Sequence, residues 1–516
     1  MILLVGQIGS TLISSLGVIF VARFLGSVDY GEVAIVMIPV NIGMLFQGIG
    51  VDQAMTRFLA KYRGEGRMKD LKVITTVGLS FCVAVSLVSA ALLWLSSGWL
   101  ARNFLQNERL VPLLNVAVLA VVGNTLLTTI QSILVGYERM GLRGVTTISW
   151  SAVKSFLAPL LVWLGLGPYG AVLGNSVGIL VVGVFSLVLL IVFVGGQDDG
   201  SGIGFREALR VLLVFGLPLY MANILGGGLQ QLYNLLMAIY VDVGLIGNYN
   251  AAVNFGVLVT VFTGPIATAL YPLFSKISRE NKGLRVVFQS SVKYTALITL
   301  PVASGLILLA DPVVRIVYGS DFMFTAFYLK LYLVAFLFSG LGSLSVNSLF
   351  NGVGETRQSF NMNLVTLLVG APMAFLLIPR FGVVGLLFTM VVAPRVGLLY
   401  GLWWIKKTFG FSVETRSSVM IYASAFAAYL TGFAVMSLVR LGGWLTLVVV
   451  GLVFALVYLL MLLLSGALTA FDLREFEVLS RGLGPLAPLG AAFVKAMGKL
   501  VRRRDPQSSE AKAAAT

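Results

Sequence analysis

Five cationic side chains stand inside long apolar runs of this sequence: Arg23, Lys154, Lys293, Lys330 and Arg395. A charge at the centre of a membrane-spanning helix costs about 2.5–3.5 kcal/mol on insertion scales, so such a set is retained only where it faces water inside a bundle. No carboxylate is expected at comparable depth, because Asp29, Glu32, Asp52, Asp242 and Asp311 fall at or near the ends of the runs. A wet cavity rich in cations and poor in fixed anions suits a mobile anion such as phosphate. At about 1.5 Å per residue, Lys154 lies roughly 14 Å into its run, close to the midplane. Lys293 and Lys330 lie about 10 Å deep and Arg395 about 20 Å deep beside Pro394, on the same rise. Arg23 is shallow, and its aliphatic stem can carry the charge to the interface.

Amides form a second group. Asn223, Gln230, Gln231 and Asn234 follow Pro218 and flank the glycines 226–228, which predicts a bent helix lining the same lumen, with hydrogen bonding between helices as the competing use. Gln47, Asn124, Asn175, Asn250, Asn254 and Asn347 are assigned to that competing use. The chain has one cysteine, Cys82, and no histidine. It therefore has no intramolecular disulfide and lacks the commonest metal ligand and the usual titrating relay. No metal and no cofactor are expected, and the loop glycines lack a phosphate-cradling lysine at P-loop spacing.

The elements that must hold these residues are membrane helices. Hydrophobic residues make up 58% of the chain and charged ones 11%, far from the balance of a soluble domain. Runs long enough to cross a hydrocarbon core of about 30 Å recur along the whole length. Fourteen are predicted, at 2–25, 32–54, 71–95, 111–135, 145–165, 169–194, 208–240, 244–270, 286–310, 323–350, 359–379, 382–405, 417–438 and 443–465. The first is too long for a signal-peptide core and lacks a basic leader, so it reads as a retained span.

The net charge of +15 is a matter of placement. With the N-terminus inside, twenty-six Lys and Arg residues fall in inner loops and the C-terminal tail, and five in outer loops. That asymmetry is the positive-inside signature. It puts both termini in the cytoplasm and the chain in the cytoplasmic membrane, and it calls for contact with anionic lipid rather than nucleic acid. The stretch from Pro488 to Asp505 carries apolar residues at helical spacing beside a basic face, which predicts an interfacial helix, and the last residues read as disordered.

Internal matches recur at one offset. Gly136 and Gly352 in similar loops are 216 residues apart, as are Gly31 and Gly247, and the basic stretches after spans two and eight align at nearly the same distance. The chain is thus expected to be an all-α integral membrane protein: two six-helix lobes, 1–200 and 208–406, related by parallel duplication, two added helices in 417–465, and a basic cytoplasmic tail, 466–516. Transporters of such architecture hold substrate near the midplane and alternate access by rocking one half against the other.

The pattern ARFLGSVDYGEV at 22–33, the loop RFLAKYRGEG at 57–66 and NGVGETR at 351–357 resemble the polysaccharide flippase branch of the multidrug/oligosaccharidyl-lipid/polysaccharide exporter superfamily. The likeness covers nearly the whole chain. It implies a transporter rather than an enzyme, working as a monomer on a lipid-linked oligosaccharide whose polyprenyl phosphate or pyrophosphate head is taken into a cationic lumen. Arg23 corresponds to the arginine of the family's first-span motif. Asn234 stands where many relatives have an aspartate, so transport is expected to draw on membrane potential rather than on a deep carboxylate. The competing functions are a cation-coupled multidrug antiporter, which needs an acid in its cavity, and a membrane glycosyltransferase, which needs catalytic carboxylates or a large outer loop.

Overall fold

The computed structural model describes residues 2–194, 203–275, 282–438 and 442–468. The expected C-terminal interfacial helix lies outside them. Every regular element among the described residues is a helix: α1 Ile2–Leu45, α2 Val51–Gly64, α3 Met68–Trp99, α4 Val111–Gly136, α5 Met140–Leu161, α6 Gly167–Val194, α7 Phe205–Tyr240, α8 Val243–Ser275, α9 Lys282–Leu308, α10 Ala310–Val317, α11 Thr325–Leu337, α12 Val346–Gly352, α13 Thr356–Phe409, α14 Thr415–Leu438 and α15 Gly443–Ser465.

Nine helical runs among the described residues are long and apolar enough to cross a membrane. Three of them extend over 54 to 56 residues, which at about 1.5 Å per residue is more than twice a hydrocarbon core. Each carries a break where the backbone leaves the helical region: Gly26 (φ 77°) in α1, Gly165 (φ 89°) and Gly167 (φ 53°) between α5 and α6, and Gly382 (φ 55°) in α13. These breaks fall where the sequence predicts turns between spans 1 and 2, 5 and 6, and 11 and 12. A positive φ at each is available to glycine without the Cβ penalty.

Two expected spans are interrupted. The second is continuous only to Leu45; residues 46–50 break it, and the helix resumes as α2 to Gly64, so much of the expected inner loop is helical. The tenth bends by 52° between Thr325–Leu341 and Val346–Gly352, where Gly342 has φ 89°.

The chain divides into two compact units. The first comprises Met1–Pro265, Val314–Ala335 and Glu355–Trp404. Its helices meet at small residues, as expected where lipid is as apolar as the side chains and close backbone approach drives packing. Gly17 of α1 lies against Ser155 of α5, whose Oγ donates to Ile13 O at 2.7 Å. Gly174 of α6 lies on Ala158 of α5, and Gly123 of α4 on Leu180 of α6. A buried core of Val51, Met55, Leu59, Leu71, Ile74, Ile130, Ile133 and Leu212 fills the junction of α2, α3, α4 and α7.

The second unit comprises Ile266–Val313, Phe336–Gly354 and Ile405–Thr516. There α9, α14 and α15 pack through Leu297, Leu300, Ile421, Ala425, Phe454 and Tyr458. Tyr458 OH donates to Leu297 O at 2.9 Å, and Ser418 Oγ to Gly340 O at 2.8 Å. The opposite face of α15 exposes Leu445, Val448, Leu452, Leu456, Leu460 and Leu464. An apolar stripe of that length on the surface fits contact with lipid tails rather than water.

A cavity around Lys154

Within the first unit, α5 is fixed on both sides by its small residues: Ser155 against α1 and Ala158 against Gly174. Those contacts set its rotation and leave Lys154 on the wall of a cavity of about 270 Å³. The remaining wall comes mainly from α1, through Gly17, Val18 and Val21 before the Gly26 break and Tyr30, Ala34, Met37 and Asn41 after it; Asn175 of α6 and Asn250 of α8 complete its polar side. The α1 positions 30, 34, 37 and 41 repeat at one helical face.

No carboxylate lines this cavity. Among the described residues no acid pairs with Lys154; its ammonium lies 6.0 Å from the ring centroid of Trp150, one helical turn away. That aromatic contact stabilises a cation by about 0.5–2 kcal/mol and accepts no proton from it, so the three N–H donors remain directed to whatever enters. Asn250 Nδ2 donates to Ile246 O at 2.9 Å, leaving its carbonyl for the cavity, and Tyr30 OH accepts from Asn254 Nδ2 at 2.8 Å, leaving its own proton to donate. The wall therefore presents one ammonium, the amides of Asn41, Asn175 and Asn250 and the phenol of Tyr30 in an otherwise apolar surround, an arrangement whose positive charge suits an anionic group.

The other expected residues sit elsewhere. Arg23 is exposed, and its Nη1 donates to Ile316 O and Val317 O at 3.2 and 3.4 Å, the last carbonyls of α10. A cation at a helix C-terminus stabilises by about 0.3–1 kcal/mol. Arg395 donates through Nη1 to Met390 O and through Nη2 to Ala335 O, joining α13 to α11. Lys330 is half-buried on α11, and Lys293 is half-buried on α9 in the second unit. Gln230, Gln231 and Asn234 bond one another along α7: Gln230 Nε2 to Asn234 Oδ1 at 3.3 Å and Asn234 Nδ2 to Gln231 Oε1 at 3.2 Å. These two bonds lie within one helix, which keeps helical backbone through Pro218 and the glycines. The Asn223 side chain lies outside the described set.

Of the eight expected side chains, Lys154 alone lines the cavity. Tyr30 and Asn41 were not expected there; their spacing along α1 was the available signal. Asn175 and Asn250, assigned to helix contacts, face the cavity. Gln47 and Asn124 do bond between helices: Asn124 Nδ2 donates to Gln47 Oε1 at 2.9 Å, and Gln47 Nε2 to Val121 O at 2.8 Å.

One expectation fails. Asp52 is not a boundary acid: its Oδ1 accepts from Thr129 Oγ1 at 2.8 Å and from Cys82 Sγ at 3.6 Å, and Cys82 is near the middle of α3. The helix breaks at 46–50 and resumes at Val51, with Asp52 in the first turn of α2.

Comparison with known proteins places this architecture. Residues 20–326, more than half of the chain, match the family described as polysaccharide biosynthesis protein. The lipopolysaccharide biosynthesis protein WzxC of Escherichia coli K12 is 26% identical over 370 residues, covering 67% of this chain and 71% of that protein. An uncharacterized membrane protein, MJ1068, of Methanocaldococcus jannaschii is 21% identical over 382 residues, 70% and 75% of the two chains. A solved structure of the lipid II flippase MurJ in an inward closed conformation shares the fold at TM-score 0.73 and 16% identity, over 89% of this chain and 97% of that one. With an all-helical transporter fold and a family match over most of the first unit, the chain belongs to the polysaccharide biosynthesis protein family, the polysaccharide flippase branch of the multidrug/oligosaccharidyl-lipid/polysaccharide exporter superfamily.

Proposed function

We propose that this protein is a flippase that moves a lipid-linked oligosaccharide across the cytoplasmic membrane by alternating access, with the phosphate or pyrophosphate head taken up against Lys154. The observation that carries this reading is a lone ammonium on a cavity wall with amides, a phenol and no acid. Its names for relatives fit: WzxC is a lipopolysaccharide biosynthesis protein and MurJ a lipid II flippase. A multidrug antiporter taking cationic drugs would place a carboxylate in the cavity wall, where this chain has Lys154.

The proposed architecture is fourteen spans with both termini cytoplasmic, two six-helix lobes at 1–200 and 208–406 related by duplication, and two further helices. The three long broken runs support the span count, and the placement of Lys and Arg supports the orientation. Arg23 and Arg395 are assigned to holding elements together, because their donors meet main-chain carbonyls. Lys293, Lys330 and the α7 amides are proposed as later positions along the transport path.

The test uses purified protein in vesicles carrying a fluorescent polyprenyl-linked sugar phosphate, scored by how fast label becomes accessible outside. Lys154→Ala should slow transfer about thirtyfold, the loss of a charge-assisted interaction of ~2 kcal/mol, while Lys154→Arg keeps much of it. Unchanged transfer by Lys154→Ala would refute the reading.

A further inference from the structure

We infer that Asp52 is a proton-binding site built into the break between α1 and α2. It stands apart from the Lys154 cavity, whose lining does not include it, and the assignment is the same whichever anion that cavity takes. Three observations carry it.

The carboxyl group is enclosed on three helices without a cation. Its neighbours Val51, Ala54, Met55, Cys82 and Thr129 are fully or almost fully buried, and no ion pair among the described residues reaches it. The groups that face it can be named element by element. From α3 comes Cys82 and from α4 the hydroxyl of Thr129; the Gln47 amide, in the break itself, is bonded instead to Asn124 and Val121. The contact face of α7 offers Leu212, Phe215 and Gly216. The nearest basic residue on α2, Arg57, has its guanidinium 4.2 Å from the Phe215 ring centroid. Among the described residues no ion pair balances a negative charge at Asp52, so its charge state acts directly on the packing around it.

The two oxygens are unlike. Both donors, Thr129 Oγ1 and Cys82 Sγ, meet Oδ1. Oδ2 instead faces Gly48: a β-carbon built there would lie 2.9 Å from it. A proton from solvent can therefore add to Oδ2 without displacing either existing bond, whereas a metal ion would have to compete with both donors at Oδ1.

The backbone next to that oxygen is a strained hinge. Gly48, Ile49 and Gly50 have φ of 65°, 43° and 77° in succession, and a β-branched residue in the left-handed region is an outlier whose cost is of order 1–3 kcal/mol. Gly50 packs backbone to backbone on Gly216 of α7. Gain or loss of a proton at Oδ2 thus changes the charge at the one place where α1 turns into α2 against α7, which gives a proton gradient a handle on the conformation of this unit.

The experiment needs no transported substrate. In purified full-length protein, infrared difference spectra across pH should contain a carboxylic-acid carbonyl band that Asp52→Asn lacks and Thr129→Val displaces. Cys82 is the sole cysteine, so its rate of maleimide labelling reports opening of the same junction. That rate should depend on pH in the wild type beyond the intrinsic thiol chemistry, and Asp52→Asn should lose the excess. If Asp52→Asn fails to fold, the displaced band in Thr129→Val still identifies the carboxyl. Superimposable spectra and labelling profiles in wild type and Thr129→Val, or a band that persists in Asp52→Asn, would overturn the assignment.

Discussion

Gly31 of α1 and Gly247 of α8 cross backbone to backbone: a β-carbon built on Gly247 would lie 3.0 Å from Gly31 N. The crossing is reciprocal. A β-carbon on Gly31 would strike the carbonyl of Val243, and one on Gly247 the carbonyl of Ser27. Ser27 and Val243 are separated by the same 216 residues as Gly31 and Gly247. A contact in which i meets j′ and j meets i′ is the mark of a two-fold relation. It supports duplication about an axis through this crossing, from atoms rather than from residue matches.

The first prediction follows from that closeness. Gly31→Ala and Gly247→Ala should each destabilise the protein by about 1–3 kcal/mol, the range for overpacking, seen as a lower thermal midpoint in detergent. Gly226→Ala is the comparison, because an added β-carbon there meets nothing within 4 Å and alanine favours helix by nearly 1 kcal/mol. Equal midpoints for all three variants would remove the crossing from the account.

A second prediction concerns the cavity amides. Asn175→Leu should weaken transfer of a lipid-linked sugar phosphate by roughly tenfold, the value of one hydrogen bond to an anion at about 1.5 kcal/mol, with folding intact. The measurement is the initial rate in vesicles against head-group concentration. A loss confined to apparent affinity fits a group that holds the head, and an unchanged rate removes Asn175 from the site.

Arg395 and Lys154 should separate by assay. Arg395→Ala should lower the thermal midpoint, since its guanidinium serves the carbonyls of Ala335 and Met390, and leaving buried carbonyls unpaired costs about 1–3 kcal/mol each. Lys154→Ala should leave the midpoint near that of the wild type while transfer falls. A stable Arg395→Ala protein that no longer transports would return that residue to the substrate path.

Much of this was legible in the sequence, for reasons specific residues make plain. The apolar runs and their glycine breaks follow from bilayer thickness and from the backbone freedom of Gly26, Gly165 and Gly382. Lys154 could be placed inside the bundle from its depth alone. What could not be read was which backbone lies within reach of a long side chain: Arg395 and Arg23 find carbonyls of segments 60 and about 293 residues away. Asp52 was misplaced because a continuous second span puts it at the boundary. The turn at 46–50 depends on Ile49 adopting a left-handed conformation, for which its side chain gives no local signal.

The last prediction tests orientation, which rests on the distribution of Lys and Arg. Asn107 lies in the connection between α3 and α4, where Arg102 and Glu108 form an exposed ion pair at 3.1 Å; Gly66 lies in the turn between α2 and α3, flanked by Lys61, Arg63 and Arg67. Positive-inside placement puts the basic turn in the cytoplasm and the other outside. Cysteines introduced singly at these positions, with native Cys82 buried, should react oppositely with a membrane-impermeant maleimide on intact cells: Asn107→Cys labelled at once, Gly66→Cys only after permeabilisation. Gly66 is exposed and Asn107 half-exposed in a connection outside the long helices, so the side of the membrane on which each lies decides the result. Gly66 has φ 72°, and the strain of a side chain there is local to the turn. The reverse labelling pattern would invert the topology and place the basic loops outside, and with it the side from which an anionic head could reach Lys154.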